Sequence, residues 1–252
     1  MSERPMAPAP APFPGSTGVT VLDVYDWIAP DGLPGGSAHV HLASTEGYVV
    51  QSGTGRLQTL SAGGYAETPL NPGDCLWFTP GTIHRLVNDG NLRLLVVMQN
   101  AGLPEHGDAV LTFPPRYLAD PKTYAEASTL PVGVPDPDLA EAARKRAALA
   151  IEGYLELREG VQQKGPSALD DFYAAAVALR GGLIDDWRAR WQQGALATAQ
   201  QTAQHLYGVG SRDPSHLESG SLWRIDSPGG ERSYGMCGRL TTYEAATARR
   251  VG

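Results

Sequence analysis

Between residues 37 and 99, short strand-like runs alternate with turn residues, and no stretch there is long enough for a helix. The runs fall at 38–42, 47–51, 55–60, 75–78, 83–87 and 92–98. Ser52-Gly-Thr-Gly, Ser61-Ala-Gly-Gly, Asn71-Pro-Gly-Asp, Pro80-Gly81 and Asn88-Asp-Gly-Asn punctuate them. Short strands at this spacing must bury one face against one another, so the pattern predicts an antiparallel sandwich or barrel. Residues 19–27, rich in β-branched and aromatic side chains, should add one or two edge strands.

The texture changes further on. A proline-containing stretch from 101 to 135 has little periodicity and reads as a wrap or linker. Asp136 is then a candidate N-cap, with Pro137 at the first helical position. Leu139, Ala143, Ala147, Ala150, Tyr154 and Leu157 share one helical face. Gly165-Pro166-Ser167 ends that helix, and a second is expected from 168 to 179, with Leu169, Phe172, Tyr173 and Ala176 inward. A third, from 183 to 207, carries an Ile184, Trp187, Trp191 stripe suited to packing on the barrel. Residues 222–226 and 233–243 read as two strands around Ser227-Pro-Gly-Gly. The predicted organisation is an arm at 1–15, a β-barrel at 16–118, a linker at 119–135, and a helical region with a C-terminal β-hairpin at 136–252.

A net charge of −7 lacks the basic face that phosphates require, so nucleic acid is excluded as a partner. No run reaches the roughly 18 apolar residues needed to cross a bilayer. Prolines at 5, 8, 10, 12 and 14 mark the first residues as an extended arm rather than a secretory signal. The two cysteines, Cys75 and Cys237, form no Cys-x-x-Cys unit, which fits a reducing, cytoplasmic setting. Cys75, at a strand start, is expected to be buried.

Chemistry concentrates in two stretches. His39 and His41 lie two apart on a strand and so project from one face. A tight turn at residues 42–45 lets Glu46, on the next strand, face the same space, and His84 completes the set if the run at 83–87 lies beside them. Three imidazoles and a carboxylate suit a divalent transition metal such as Fe, Mn, Ni or Zn, and a six-coordinate ion would keep two positions for water or substrate. Glu46 and Tyr48, which share a face, are the candidate catalytic residues, and Tyr48 is also a candidate for substrate binding. Arg56, Trp77 and Gln99 are further candidates for substrate binding, and one of Trp77 and Phe78 must enter the barrel because they alternate faces. His106, His205 and His216 have no ligand partners at short spacing.

These two stretches resemble the motifs of the cupin superfamily: His39, His41, Glu46 and Gly53 match the first, and Gly73, Gly81, His84 and Asn88 the second. Two departures lie in turns. Leu33 stands where the family usually has glycine, and its Pro-x-Gly is shortened to Pro80-Gly81. The resemblance covers roughly residues 19–115. It implies a mainly β protein with a double-stranded β-helix (jelly-roll) barrel around one metal, here with a helical appendage and a short β return. It also implies a small-molecule substrate, a homodimer, and enzymatic chemistry. Dioxygenation on iron is slightly favoured by family frequency over isomerase, epimerase or lyase chemistry on another metal. A non-catalytic sugar- or metabolite-binding role is the remaining alternative.

Overall fold

The computed structural model of the protein describes residues 12–227 and 232–251. The arm expected at 1–15 therefore falls largely outside the described residues, as does most of the expected turn after Ser227. In chain order the strands are β1 (Gly18–Val24), β2 (His39–His41), β3 (Glu46–Ser61), β4 (Gly64–Leu70), β5 (Cys75–Phe78), β6 (Ile83–Met98) and β7 (Ala109–Leu111). The helices are α1 (Pro115–Leu118), α2 (Pro121–Ser128), α3 (Asp136–Lys164), α4 (Asp170–Arg180), α5 (Ile184–Trp191) and α6 (Ala197–Ser211). Strands β8 (Leu222–Arg224), β9 (Ser233–Tyr234), β10 (Gly238–Tyr243) and β11 (Arg249–Val251) close the chain.

Two 16-residue strands, β3 and β6, form the spine. They pair along nearly their whole length, with register shifts between Val50 and Gly55. One end of β6 pairs with β2, placing His39 opposite His84, and the other end pairs with β1. Likewise β3 pairs with β4 at one end and β5 at the other. Each long strand thus serves both halves of an antiparallel β-helix, as expected of the jelly-roll. The bend needs Gly53, whose φ is +75° and whose missing Cβ would stand 2.1 Å from the Asn91 carbonyl oxygen. Asn88 holds the opposite side. Its side-chain NH2 donates to Val24 O (2.9 Å), and its Oδ1 accepts from the Gly90 and Leu92 amides.

Leu22, Tyr48, Val50, Leu57, Leu86, Leu94 and Val96 fill the barrel. A second core joins the outside of β2 and β7 (Ala38, Val40, Val110, Leu111) to the helices through Ile151, Tyr154, Phe172 and Ala176. Ala143, Ala147, Ala150 and Tyr154 are buried along α3, as their spacing predicts. Contact is close because Gly153 has no side chain: a Cβ there would lie 2.2 Å from Thr112 O. The Thr112 hydroxyl ties the same junction, donating to Ala150 O at 2.7 Å.

Four expectations need correction. Strand β1 is not an edge strand, because β6 and β10 flank it on both sides. The stretch at 119–135 is not a plain linker, since it holds α2, capped by the Asp120 carboxylate on the Thr123 amide (2.8 Å). The two C-terminal runs do not form a hairpin with one another: β8 pairs with β11, and β10 joins β1 in the main sheet. Local pattern announces strands, but it cannot choose a partner more than 200 residues away. The third helix is interrupted by a π-helical turn at Gln192–Leu196. Trp187 is buried, with its indole N–H on His106 O (2.8 Å), whereas Ile184 and Trp191 are exposed.

Candidate metal centre

The four expected ligands converge. His39, His41, Glu46 and His84 are all buried, and one ligand atom from each lies within 4.8 Å of the others. Strand geometry does most of the placing. The i, i+2 pair on β2 shares a face, the β2–β6 register sets His39 against His84, and β3 begins with Glu46.

Each imidazole is oriented from behind. His39 Nδ1 lies 3.3 Å from Ser37 O, His84 Nδ1 3.1 Å from Thr82 O, and His41 Nδ1 3.0 Å from an Asp108 carboxylate oxygen. With Nδ1–H donated outward, Nε2 keeps its lone pair for the centre. Asp108 is itself fixed, accepting from the Leu42 (3.1 Å) and Ala43 (2.6 Å) amides. Sequence reading missed this residue. It stands 67 positions from His41 in a loop, and no spacing rule connects the two.

Glu46 Oε2 lies 3.1 Å from both His41 Nε2 and His84 Nε2. Yet Glu46 Oε2 and His84 Nε2 are buried without an aligned hydrogen bond. Lone pairs facing one another in a dry interior repel unless a proton or a metal ion stands between them. The donor set therefore fits a divalent metal. Burial alone would raise the Glu46 carboxyl, but His41 and His84 hold it well below the usual carboxylate range. Burial disfavours charge on His41, yet Asp108 and Glu46 flank it and raise it to about 9. His39 is pushed well below the ordinary histidine range by burial and by its two histidine neighbours.

The remaining candidates are scattered. Tyr48 is buried beside Glu46, its ring against Phe78 and its hydroxyl without a partner. Phe78, not Trp77, enters the barrel, its ring 4.2 Å from that of His84. Trp77 is 71% exposed, because pairing of β5 with β3 turns Cys75 and Trp77 outward. Cys75 is accordingly exposed, contrary to expectation. Arg56 lies away from the ligands, ion-paired to Asp89 (2.8 Å) and Glu67 (3.1 Å). Gln99 accepts the Thr45 amide at 3.2 Å, in a groove shared with Trp77 rather than in the ligand cavity. His106, His205 and His216 do not join the cluster.

His39, His41 and Glu46 open onto a cavity of about 340 Å³, which Cys237, Met236 and Arg146 also line. A larger cleft of about 660 Å³ lies between Trp27 and α3 and contains none of the four ligands.

The fold is an antiparallel β-barrel that buries three histidines and a glutamate around one point, a cluster compatible with a divalent metal. Residues 27–98 match the family model of the cupin domain, so the chain carries a cupin domain. No curated protein matches the chain. Among solved structures it is similar to Streptomyces Pac13, a nucleoside dehydratase also seen with uridine, at 18% identity and a TM-score of 0.26, covering 33% of this chain. The match spans only 58% of that relative's length. A double-stranded β-helix protein from Klebsiella pneumoniae is similar at 22% identity and a TM-score of 0.28, covering 38% of this chain and 81% of that one. A cupin protein from Bacteroides fragilis is similar at 21% identity and a TM-score of 0.26, covering 34% of this chain and 65% of the other. Among the described residues, no helix is long and apolar enough to cross a membrane.

Asp108 yields the first prediction. Asp108→Ala removes the acceptor that fixes the His41 tautomer, so metal affinity should fall by roughly 10–100-fold. Competition with a chelating dye would measure it, and an unchanged affinity would show that Asp108 does not orient His41.

Proposed function

We propose that this chain is a metal-dependent cupin enzyme acting on a small polar organic molecule, with the metal held by His39, His41, Glu46 and His84. Four ligand atoms within 4.8 Å of one another, three of the four residues opening onto a cavity of ligand size, support this conclusion. A divalent metal bound there would supply Lewis acidity or, for iron, redox chemistry with dioxygen. Asp108, Ser37 and Thr82 keep the imidazoles aimed, and the apolar wall limits water at the centre.

Dioxygenation of a chelating substrate is the reaction we favour over isomerase, epimerase or lyase chemistry. The latter call for a general acid or base positioned within reach of the substrate. Among the described residues, the further carboxylate on the cavity wall is Glu105, which is exposed and already accepts the Gly102 amide at 2.7 Å. Tyr48 would act on Glu46 rather than on the substrate, because it lies behind the ligand and does not line the cavity.

The test begins with elemental analysis of protein purified without added metal, followed by oxygen-electrode screening of small organic acids and polyols. About one equivalent of iron per chain with substrate-dependent oxygen uptake is expected. Bound zinc or manganese without uptake would replace the oxygenase reading with isomerase or lyase chemistry. No metal even after reconstitution would reject the enzyme reading altogether.

A further inference from the structure

The helical appendage sends one cation to the cavity beside the metal ligands. Arg146, on α3, lines the same cavity as His39, His41 and Glu46. Its Nη1 donates to Ser128 O (3.3 Å) and its Nη2 to Gly235 O (2.7 Å), while its buried Nε has no partner. A guanidinium carries five N–H donors, so these two bonds leave capacity unused.

Other arginines near this junction hold carboxylates, Arg116 on Glu152 and Arg239 on Asp136. Among the described residues no carboxylate lies within 4 Å of Arg146. Burial holds its guanidinium below the ordinary arginine range, opposed only weakly by Tyr25, Tyr124 and Cys237, none of them an anion at neutral pH. A partly buried cation with no carboxylate beside it is costly, and an incoming anion would relieve that cost. Much of the remaining wall is apolar, formed by Leu22, Val96, Met98, Ala109, Met236 and Leu240. At about 340 Å³ the space sits near the lower end of ligand pockets, which limits the occupant to a small molecule.

We propose that Arg146 binds the carboxylate of the substrate, so that the cavity takes a small organic acid with its opposite end at the metal. The inference rests on the four-residue cluster being a substrate-accessible metal site. One planar fork matches a carboxylate bidentately, whereas a phosphate dianion in a dry site would call for more than one cation.

The probes are pentanoate and its neutral isostere pentanamide, titrated into metal-free and zinc-loaded full-length protein. The arginine Nε–H signals would be followed by 15N NMR, with Arg146→Met identifying the resonance. Pentanoate should shift the Arg146 signal saturably and bind at least about tenfold more tightly than pentanamide. In Arg146→Met the two probes should bind alike. Arg146→Lys should regain part of the preference, because it keeps the charge and loses the fork. If Arg146→Met fails to fold, Arg146→Lys and the wild-type titration decide. Equal binding of acid and amide, a stronger response to inorganic phosphate, or an unmoved Arg146 signal would show a structural clasp on Ser128 and Gly235, and would overturn the proposal. Zinc content of the same samples reads the metal separately. A pentanoate preference without metal binding would overturn the metal site and leave the role of Arg146 standing.

Discussion

His84→Ala protein should emerge from purification with essentially no bound metal, while the wild type carries about one equivalent. The loss should exceed the roughly 10–100-fold that removal of an outer partner costs, because an inner ligand is gone. His84 is the sole ligand from β6, and its Nε2 is buried with no hydrogen-bond partner. Alanine also leaves the Glu46 carboxylate with one neutralising neighbour fewer. Stability gives a second readout. A metal at about 100 times its Kd adds about 2.7 kcal/mol to a protein that binds it only when folded. Added metal should therefore raise the melting temperature of the wild type and leave that of the variant unmoved, with circular dichroism confirming that both barrels are intact. Equal metal content in the two proteins would remove His84 from the ligand set.

Asp31→Ala should destabilise the protein by about 3–5 kcal/mol, the usual cost of leaving a buried charge without its partner. Arg85 is fully buried on β6, and both of its terminal nitrogens hold the Asp31 carboxylate, Nη2 to Oδ1 at 3.0 Å. A loss of that size is a large share of the 5–15 kcal/mol that keeps a domain folded. Chemical denaturation would measure it. Replacing both residues, Asp31→Ala with Arg85→Met, should recover much of the loss, since a buried pair exchanged for apolar groups is often neutral. A single-variant cost below about 1 kcal/mol, the value of a surface pair, would show that water reaches Arg85. The pH dependence has a definite sign. Burial opposes the charge on Asp31, but Arg85 holds its carboxyl below the ordinary value of 3.8. The contribution is therefore complete above that pH and disappears as pH falls through the lower, folded value.

What could be read beforehand divides along contact range. His39, His41 and Glu46 lie within eight positions, so strand alternation and one turn suffice to aim them together, and His84 comes from the second motif. The buried face of α3 follows from its 3.6-residue period. Trp77 and Arg56 stand outside the cavity beside the cluster for a different reason. Alternation says that Trp77 and Phe78 face opposite ways, but only the pairing of β5 with β3 says which of them faces inward. Arg56 found Glu67 and Asp89 across neighbouring strands, and those partners depend on register.

The sequence by itself determined an antiparallel β architecture, the shared face of His39, His41 and Glu46 and the helical character of the second half, because periodicity and turn chemistry act between near neighbours; His84 and the jelly-roll followed from the cupin resemblance. Tertiary structure alone decided that β10 enters the main sheet beside β1, that Asp108 stands behind His41, and that Arg146 reaches the cavity from α3. Each of those depends on surfaces meeting across tens to hundreds of residues. Closure of the β-helix and the glycine-thin seat of α3 at Gly153 bring those surfaces together, and no local pattern along the chain encodes that meeting.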